Sequence, residues 1–136
     1  MSSHIRRLLF VGIVAGQVGC SMSWRLTGGT AVPAAEGMAS TKLGDNGNTR
    51  LEVKVKHLAF PEKVNPGATT YVVWATADGG AAPTNIGALR LDKNLEGKLD
   101  TLTPFHAFLL TITPEVAGTA SGPTGPVVFA ARITSK

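Results

Sequence analysis

The feature that most constrains the fold is an alternating run over Thr49–Leu58. Within it, three apolar residues alternate with three charged ones: Leu51, Val53 and Val55 against Glu52, Lys54 and Lys56. A period of two puts the apolar side chains on one face of a β-strand and the charged ones on the other. The run therefore predicts a strand with one buried and one wet face, ending in a bend or bulge at His57-Leu58, where the alternation stops.

The chain after Gly37 consists of similar short apolar runs separated by turn residues. Asn46-Gly47 precedes the alternating run, and Asn-Gly is the strongest short hairpin signal. Thr69–Ala77 is apolar on both faces and β-branched, which predicts a central strand. The remaining predicted strands are 38–43, 86–91, 98–102, 105–113 and 127–134.

These runs predict an all-β domain over residues 37–136 with about seven strands. The favoured architecture is an antiparallel two-sheet sandwich of immunoglobulin-like character, and the alternative is a small β-barrel. Trp74, on the predicted central strand, is expected to be a buried core anchor. The partners predicted for it are Val53, Val55, Leu110 and Phe129.

Residues 1–19 have the three-part layout of a secretory signal peptide. Arg6 and Arg7 precede an apolar stretch over Leu8–Val18, and the small Gly19 follows. The stretch is shorter than the ~20 residues that cross a bilayer core as a stable helix. We therefore predict export of the chain.

Cys20 is the only cysteine, so it cannot form a disulfide within one chain. Val18-Gly19-Cys20 resembles the end of a bacterial lipobox, although Gln17 stands where that pattern usually has Leu. The resemblance implies lipid attachment at Cys20 and a membrane-anchored location on the periplasmic or extracellular side. Soluble secretion after ordinary cleavage and an uncleaved anchor are the alternatives.

Residues 20–36 are mostly small or polar, contain Pro and Gly and have no sustained period, which predicts a lipidated N-terminus followed by a flexible spacer. Trp24 is an isolated apolar side chain in this segment. It would either lie at the membrane interface or pack against the domain.

Residues 51–134 resemble the extracytoplasmic domain of anti-sigma-K-type factors. The resemblance is carried by Tyr71–Trp74 and Ile86–Leu89, then by Phe108–Glu115, and most specifically by Pro123-Thr124-Gly125-Pro126-Val127. This chain reads Pro114-Glu115 where the family reads Glu-Pro, and residues 1–36 could not supply the cytoplasmic sigma-binding segment of such factors. The resemblance implies a fold and an extracytoplasmic setting, without sigma-factor inhibition.

The residues that could bind metal are few. His57 and His106 are too few for a zinc site, which takes three or four protein ligands. Asp92–Gly97 resembles the start of a calcium loop, but its twelfth position is Thr103 where a bidentate Glu is required, and a turn explains the same residues. We predict no metal site and no cofactor.

Catalysis and nucleic-acid binding have equally little support. Ser21, Ser40, Ser121 and Ser135 have no histidine nearby in sequence, and no phosphate loop is present. The chain has 13 Lys and Arg against 9 Asp and Glu, two of the basic residues lie in the leader, and no basic cluster is interleaved with aromatics. We predict a protein that is not an enzyme and binds no nucleic acid.

The leading functional hypothesis is a non-catalytic cell-envelope lipoprotein that acts as an interaction or sensing module. It would be held on the membrane by its N-terminal lipid and would bind an envelope protein. The alternatives are a structural protein that assembles through exposed strand edges and, third, a small hydrolase or ligand-binding protein.

Overall fold

The computed structural model describes residues 20–135 of the chain. The predicted signal peptide, 1–19, lies outside the described residues. The strands are β1 (Met22–Gly28), β2 (Glu36–Leu43), β3 (Thr49–Lys56), β4 (Thr70–Ala77), β5 (Thr84–Leu89), β6 (Gly97–Thr103), β7 (Ala107–Glu115) and β8 (Phe129–Thr134). A four-residue helix, α1 (Pro61–Val64), connects β3 to β4.

All eight strands form one antiparallel sheet in the order β5-β4-β7-β8-β1-β2-β3-β6. Its two halves meet where β8 pairs with β1, through Thr27 opposite Ala130 and Gly28 opposite Phe129. The two outermost strands also approach each other, because the Thr101 hydroxyl donates to the Ile86 carbonyl at 2.8 Å. The sheet is therefore nearly closed into a barrel.

The predicted all-β class is confirmed, and the architecture fits the barrel alternative. The seven predicted strands are present with small shifts at their ends. The arrangement differs from two separate sheets because an eighth strand, β1, pairs with both β2 and β8 and joins the halves.

This eighth strand corrects the prediction for residues 20–36. Met22–Gly28 is not a flexible spacer, since it forms an inner strand of the sheet and pairs with β2 over six residue pairs. Met22, Trp24 and Leu26 alternate with polar residues, and Leu26 is almost fully buried. The domain therefore begins at Met22 rather than at residue 37.

The main core lies inside the barrel, and β3 contributes to it as predicted. Leu51, Val53 and Val55 are buried, and the chain bends at His57, whose φ of 54° is left-handed. The side chains that fill the core from the other half include Tyr71, Val73, Phe108, Leu110, Ile112, Phe129 and Ile133. The predicted central position of β4 is confirmed, since it lies between β5 and β7.

Trp74 is fully buried as predicted, but its predicted partners are wrong. Tyr71, Val73 and Ala75 of β4 belong to the main core, so the alternation of the strand directs Trp74 to the opposite, outer face. There its indole Nε1–H donates to the Thr113 hydroxyl at 2.8 Å.

Candidate membrane-attachment site

Cys20 is an exposed free cysteine, and it lies immediately before the barrel. Only Ser21 separates it from β1. In the register of β1 with β2, Met22 lies opposite Thr41. Counting two residues back from Met22 and two on from Thr41 brings Cys20 level with Leu43. A lipid on Cys20 would therefore hold this end of the barrel close to the membrane, within about 10 Å, because a residue spans at most ~3.5 Å.

The β2–β3 hairpin forms part of the same end. Its turn is closed by Gly44 N–H donating to the Asn48 carbonyl at 2.7 Å, and Asn46 and Gly47 both have positive φ. Asn and Gly adopt that conformation most readily, so the sequence signal and the turn agree. Leu43, at the last position of β2, is left 61% exposed.

A row of three outward-facing residues crosses the neighbouring strands just below this turn. Arg50 of β3 lies opposite Lys42 of β2 on one side and opposite Leu102 of β6 on the other. Leu102 is 54% exposed and lies beside the turn, because a Cβ at Gly44 would be 3.5 Å from Leu102 Cδ2. We call Cys20, Lys42, Leu43, Arg50 and Leu102 together the Cys20 pole.

The charges farther along the same outer face are paired with one another. Glu52 lies 3.3 Å from Lys54 and 3.2 Å from Lys98, and Lys98 also lies 3.4 Å from Asp100. These contacts, first with Lys98 and then with Lys54, lower the pKa of Glu52. Within residues 20–135, neither Lys42 nor Arg50 has a carboxylate within 4.0 Å. The charges of the Cys20 pole are thus free for an external anion.

Hydrogen bonds join the C-terminal segment to the barrel next to the pole. The buried Thr49 hydroxyl lies 2.9 Å from the Ser135 hydroxyl and 3.3 Å from His106 Nδ1, and Ser135 N–H donates to the His106 carbonyl. His106 therefore has a structural place at the start of β7, whereas His57 follows the opposite end of β3. The topology does not bring the two histidines together.

Trp24 packs against the main core, which decides between the two positions considered for it. It points inward with Met22 and Leu26, because these residues alternate with the outward-facing Ser23 and Arg25 along β1. The indole is half-buried and is therefore part of the barrel rather than an isolated side chain in a spacer.

The calcium-like segment Asp92–Gly97 is a tight turn. Asp92 Oδ1 accepts the backbone N–H groups of Asn94 at 2.8 Å and Glu96 at 3.1 Å, and Asp92 N–H donates to the Glu96 carbonyl. Asp92 Oδ1, one of the oxygens that would have to coordinate a cation, is therefore already engaged by two backbone N–H groups. In the described part of the chain, no cluster of three or more metal-ligating side chains occurs.

A second polar cluster lies on the outer face of the other half of the sheet, around the buried Glu115. Its carboxylate accepts the Thr113 hydroxyl at 2.7 Å, the Thr124 hydroxyl and N–H, and Gly125 N–H at 3.3 Å. Burial would raise the pKa of Glu115, but the bonds from Thr124 and Thr113 outweigh it and leave this pKa below its ordinary value. The carboxylate is occupied by its donors, so it is a structural anchor for the loop.

Sequence reasoning assigned no role to Glu115 or to the four residues that join Cys20 at the pole. A signal existed for Leu102, which stands in the outward phase of β6 beside Asp100, where the pattern calls for a polar residue. For Glu115 the signal was the stretch Pro123–Val127, quoted above for a family resemblance, whose Thr124 and Gly125 bind the carboxylate.

Comparisons with protein families, with curated proteins and with solved structures gave no match. No helix within residues 20–135 has the length and hydropathy of a membrane span.

Proposed function

We propose that this protein is a lipid-anchored, non-catalytic module of a bacterial cell envelope, exported by residues 1–19 and acylated at Cys20. The barrel would be held on the membrane surface and would present its remaining faces to an envelope protein, in the manner of an extracytoplasmic sensing or interaction domain. The likeness to anti-sigma-K-type domains supports this setting, without extending to sigma-factor binding.

The observation that carries the proposal is the place of Cys20. The single cysteine of the chain follows a leader-like segment, is exposed, and is separated from the first strand of the barrel by one residue. A free thiol is a liability in an oxidising compartment, and acylation would remove it. The short connection also means that an acyl anchor would position the barrel rather than trail it on a spacer.

Assembly through exposed strand edges has less support than anchoring. The outermost strands of the sheet, β5 and β6, lie against each other through the Thr101–Ile86 hydrogen bond. A Cβ at Gly87 would also approach Leu99 to 2.9 Å, so these two edges cover each other. Edge-to-edge association requires a free row of backbone donors and acceptors, which this meeting of β5 and β6 restricts.

Metabolic labelling with an alkyne fatty acid in a bacterial host tests the proposal. The wild-type chain should incorporate the label and partition with membranes after a carbonate wash. Cys20→Ser should remove the label and release the chain, or leave it uncleaved behind its leader. The matched control is Ser21→Ala, which changes the neighbouring residue and keeps the cysteine, and it should behave as wild type. Label retained in Cys20→Ser would contradict the proposal.

A further inference from the structure

We propose that the Cys20 pole is a docking surface for an anionic lipid bilayer, so that the barrel stands on the membrane by this end. The inference rests on the proposed function, and it adds an orientation and a lipid preference to it. Its basis is the presence, at one end of the barrel, of the attachment point, two exposed leucines and two basic side chains that have no carboxylate partner within residues 20–135.

The membrane attachment point lies at this pole. Residues 1–19, with their apolar run Leu8–Val18, join the domain at Cys20, the residue proposed to be acylated, so the leader before cleavage and the lipid after it both enter at this pole. Since one residue separates Cys20 from β1, the barrel has little freedom to turn another surface toward the bilayer. The surface level with Cys20, which contains Leu43, is the one that an anchored barrel would bring to the headgroups.

The Cys20 pole also exposes apolar side chains to water. Leu43 and Leu102 are 61% and 54% exposed and belong to adjacent parts of the pole. Buried apolar area together with attraction to anionic lipid is what determines binding of a protein surface at a membrane interface. A second exposed apolar pair, Val116 and Val127, lies at the opposite pole, beyond the end of β7 and before the start of β8.

The pole also carries basic charge. Arg50 lies between Lys42 and Leu102, and neither Lys42 nor Arg50 has a carboxylate partner within the described residues, whereas Lys54 and Lys98 on the same face are neutralised by Glu52 and Asp100. The turn adds one acidic residue, Asp45, so the pole keeps a net positive charge. Each basic side chain near an anionic surface shifts binding about fivefold, so Lys42 and Arg50 together contribute about twenty-five-fold.

Hydroxyl-radical footprinting of the acylated protein, reconstituted in vesicles, tests this orientation. The vesicles would be pure phosphatidylcholine or phosphatidylcholine with about 30% phosphatidylglycerol, which supplies the negative surface. Oxidation of Leu43 and Leu102 should fall severalfold in the anionic vesicles. Oxidation of Leu109 on β7 and of Val116 and Val127 should not change.

Charge reversal provides the matched comparison. Lys42→Glu with Arg50→Glu should abolish the protection of the two leucines in anionic vesicles. Lys56→Glu is the control, because Lys56 is also an exposed base on the outer face of β3 and has no ion pair among the residues that the structure describes; it lies about 20 Å from Arg50 at ~3.3 Å per residue. It should leave protection intact. High salt should weaken protection in the wild type, because it screens exposed charges.

The outcomes separate the two proposals, since the acyl mass is measured on the same sample. Acylated protein whose leucines are equally oxidised in both vesicles would overturn the docking surface and leave the anchor standing. If the sample has no acyl mass, the anchor is refuted. The surface would then be upheld by co-sedimentation with anionic vesicles that the double charge reversal abolishes, and overturned if no such sedimentation occurs.

Discussion

The two halves of the sheet differ in their outer faces, since one is exposed to water and the other is covered by protein. The face of β1-β2-β3-β6 stays in water and carries rows of charged residues, with Glu52 paired to Lys54 and Lys98. The face of β4 and β7 is covered by the segment between β7 and β8, and beneath it Trp74, Thr113 and Glu115 are buried. Exposed ion pairs contribute little to stability, whereas removing one partner of a buried hydrogen bond costs more, because the other partner is left buried and unpaired.

The covered face should therefore hold most of the sensitivity to mutation, and Trp74→Ala tests this most strongly. Removing a fully buried indole should lower the free energy of unfolding by about 3–5 kcal/mol, measured by urea denaturation. Leu109→Ala is the matched control, since Leu109 lies on the same outer face but is 39% exposed. Its effect should stay within about 0.5–1 kcal/mol. Equal effects of the two variants would mean that the loop does not bury this face.

Glu115→Gln should have the next largest effect. An amide cannot accept all the donors that now converge on the carboxylate, so the loss should be about 2–4 kcal/mol at pH 7. The folded-state pKa of Glu115 is lowered, so its contribution is present above the unfolded value of about 4.3 and is lost as the pH falls through the folded pKa. Below pH 4.3 the wild type should therefore lose stability more steeply than the variant. Parallel acid profiles would exclude the buried-carboxylate account.

Asn85→Ala should loosen the loop with a smaller loss, about 1–2 kcal/mol. The Asn85 amide donates to the carbonyls of Gly118 at 2.9 Å and Ala120 at 3.0 Å, and so fastens the loop to β5. Limited proteolysis should cleave the loop between β7 and β8 faster in this variant. Asn94→Ala, at an exposed turn position, should leave the cleavage rate unchanged.

Glu52→Gln on the wet face should have the smallest effect. It breaks the exposed contacts with Lys54 and Lys98, and thermal melting should not resolve it from the wild type. Any small difference should disappear at high salt, because the charges are in water. A large loss of stability that persists in salt would make this face as important as the covered one.

The comparison also explains what the sequence could predict. A face in water leaves alternation in the sequence, which is why β3 was predicted correctly from Leu51 to Lys56. A covered face leaves apolar residues in both phases, so β4 was recognised as central. The cover itself, a loop rich in Gly, Pro and Thr, has no period, and so Trp74 was assigned to the wrong layer.

Only part of the candidate site was predictable, because its cysteine is evident in the sequence whereas its other residues are brought together by strand pairing. Cys20 stands out in the sequence, but β1 was missed although Met22, Trp24 and Leu26 alternate with polar residues. The Ser, Thr and Gly around them favour a spacer in the sequence alone, whereas pairing with β2 and β8 makes the segment a strand. The pole depends on strand register, since Lys42, Arg50 and Leu102 are distant in sequence and meet only through β2, β3 and β6.

The central claim is that Cys20 is the anchor of a barrel from which only one residue, Ser21, separates it. The most direct measurement is the mass of the N-terminal peptide of protein extracted from membranes. The account predicts a peptide that begins at Cys20 and carries diacyl or triacyl mass on that cysteine. An unmodified Cys20 thiol, whether at a free N-terminus or behind an uncleaved leader, would contradict it.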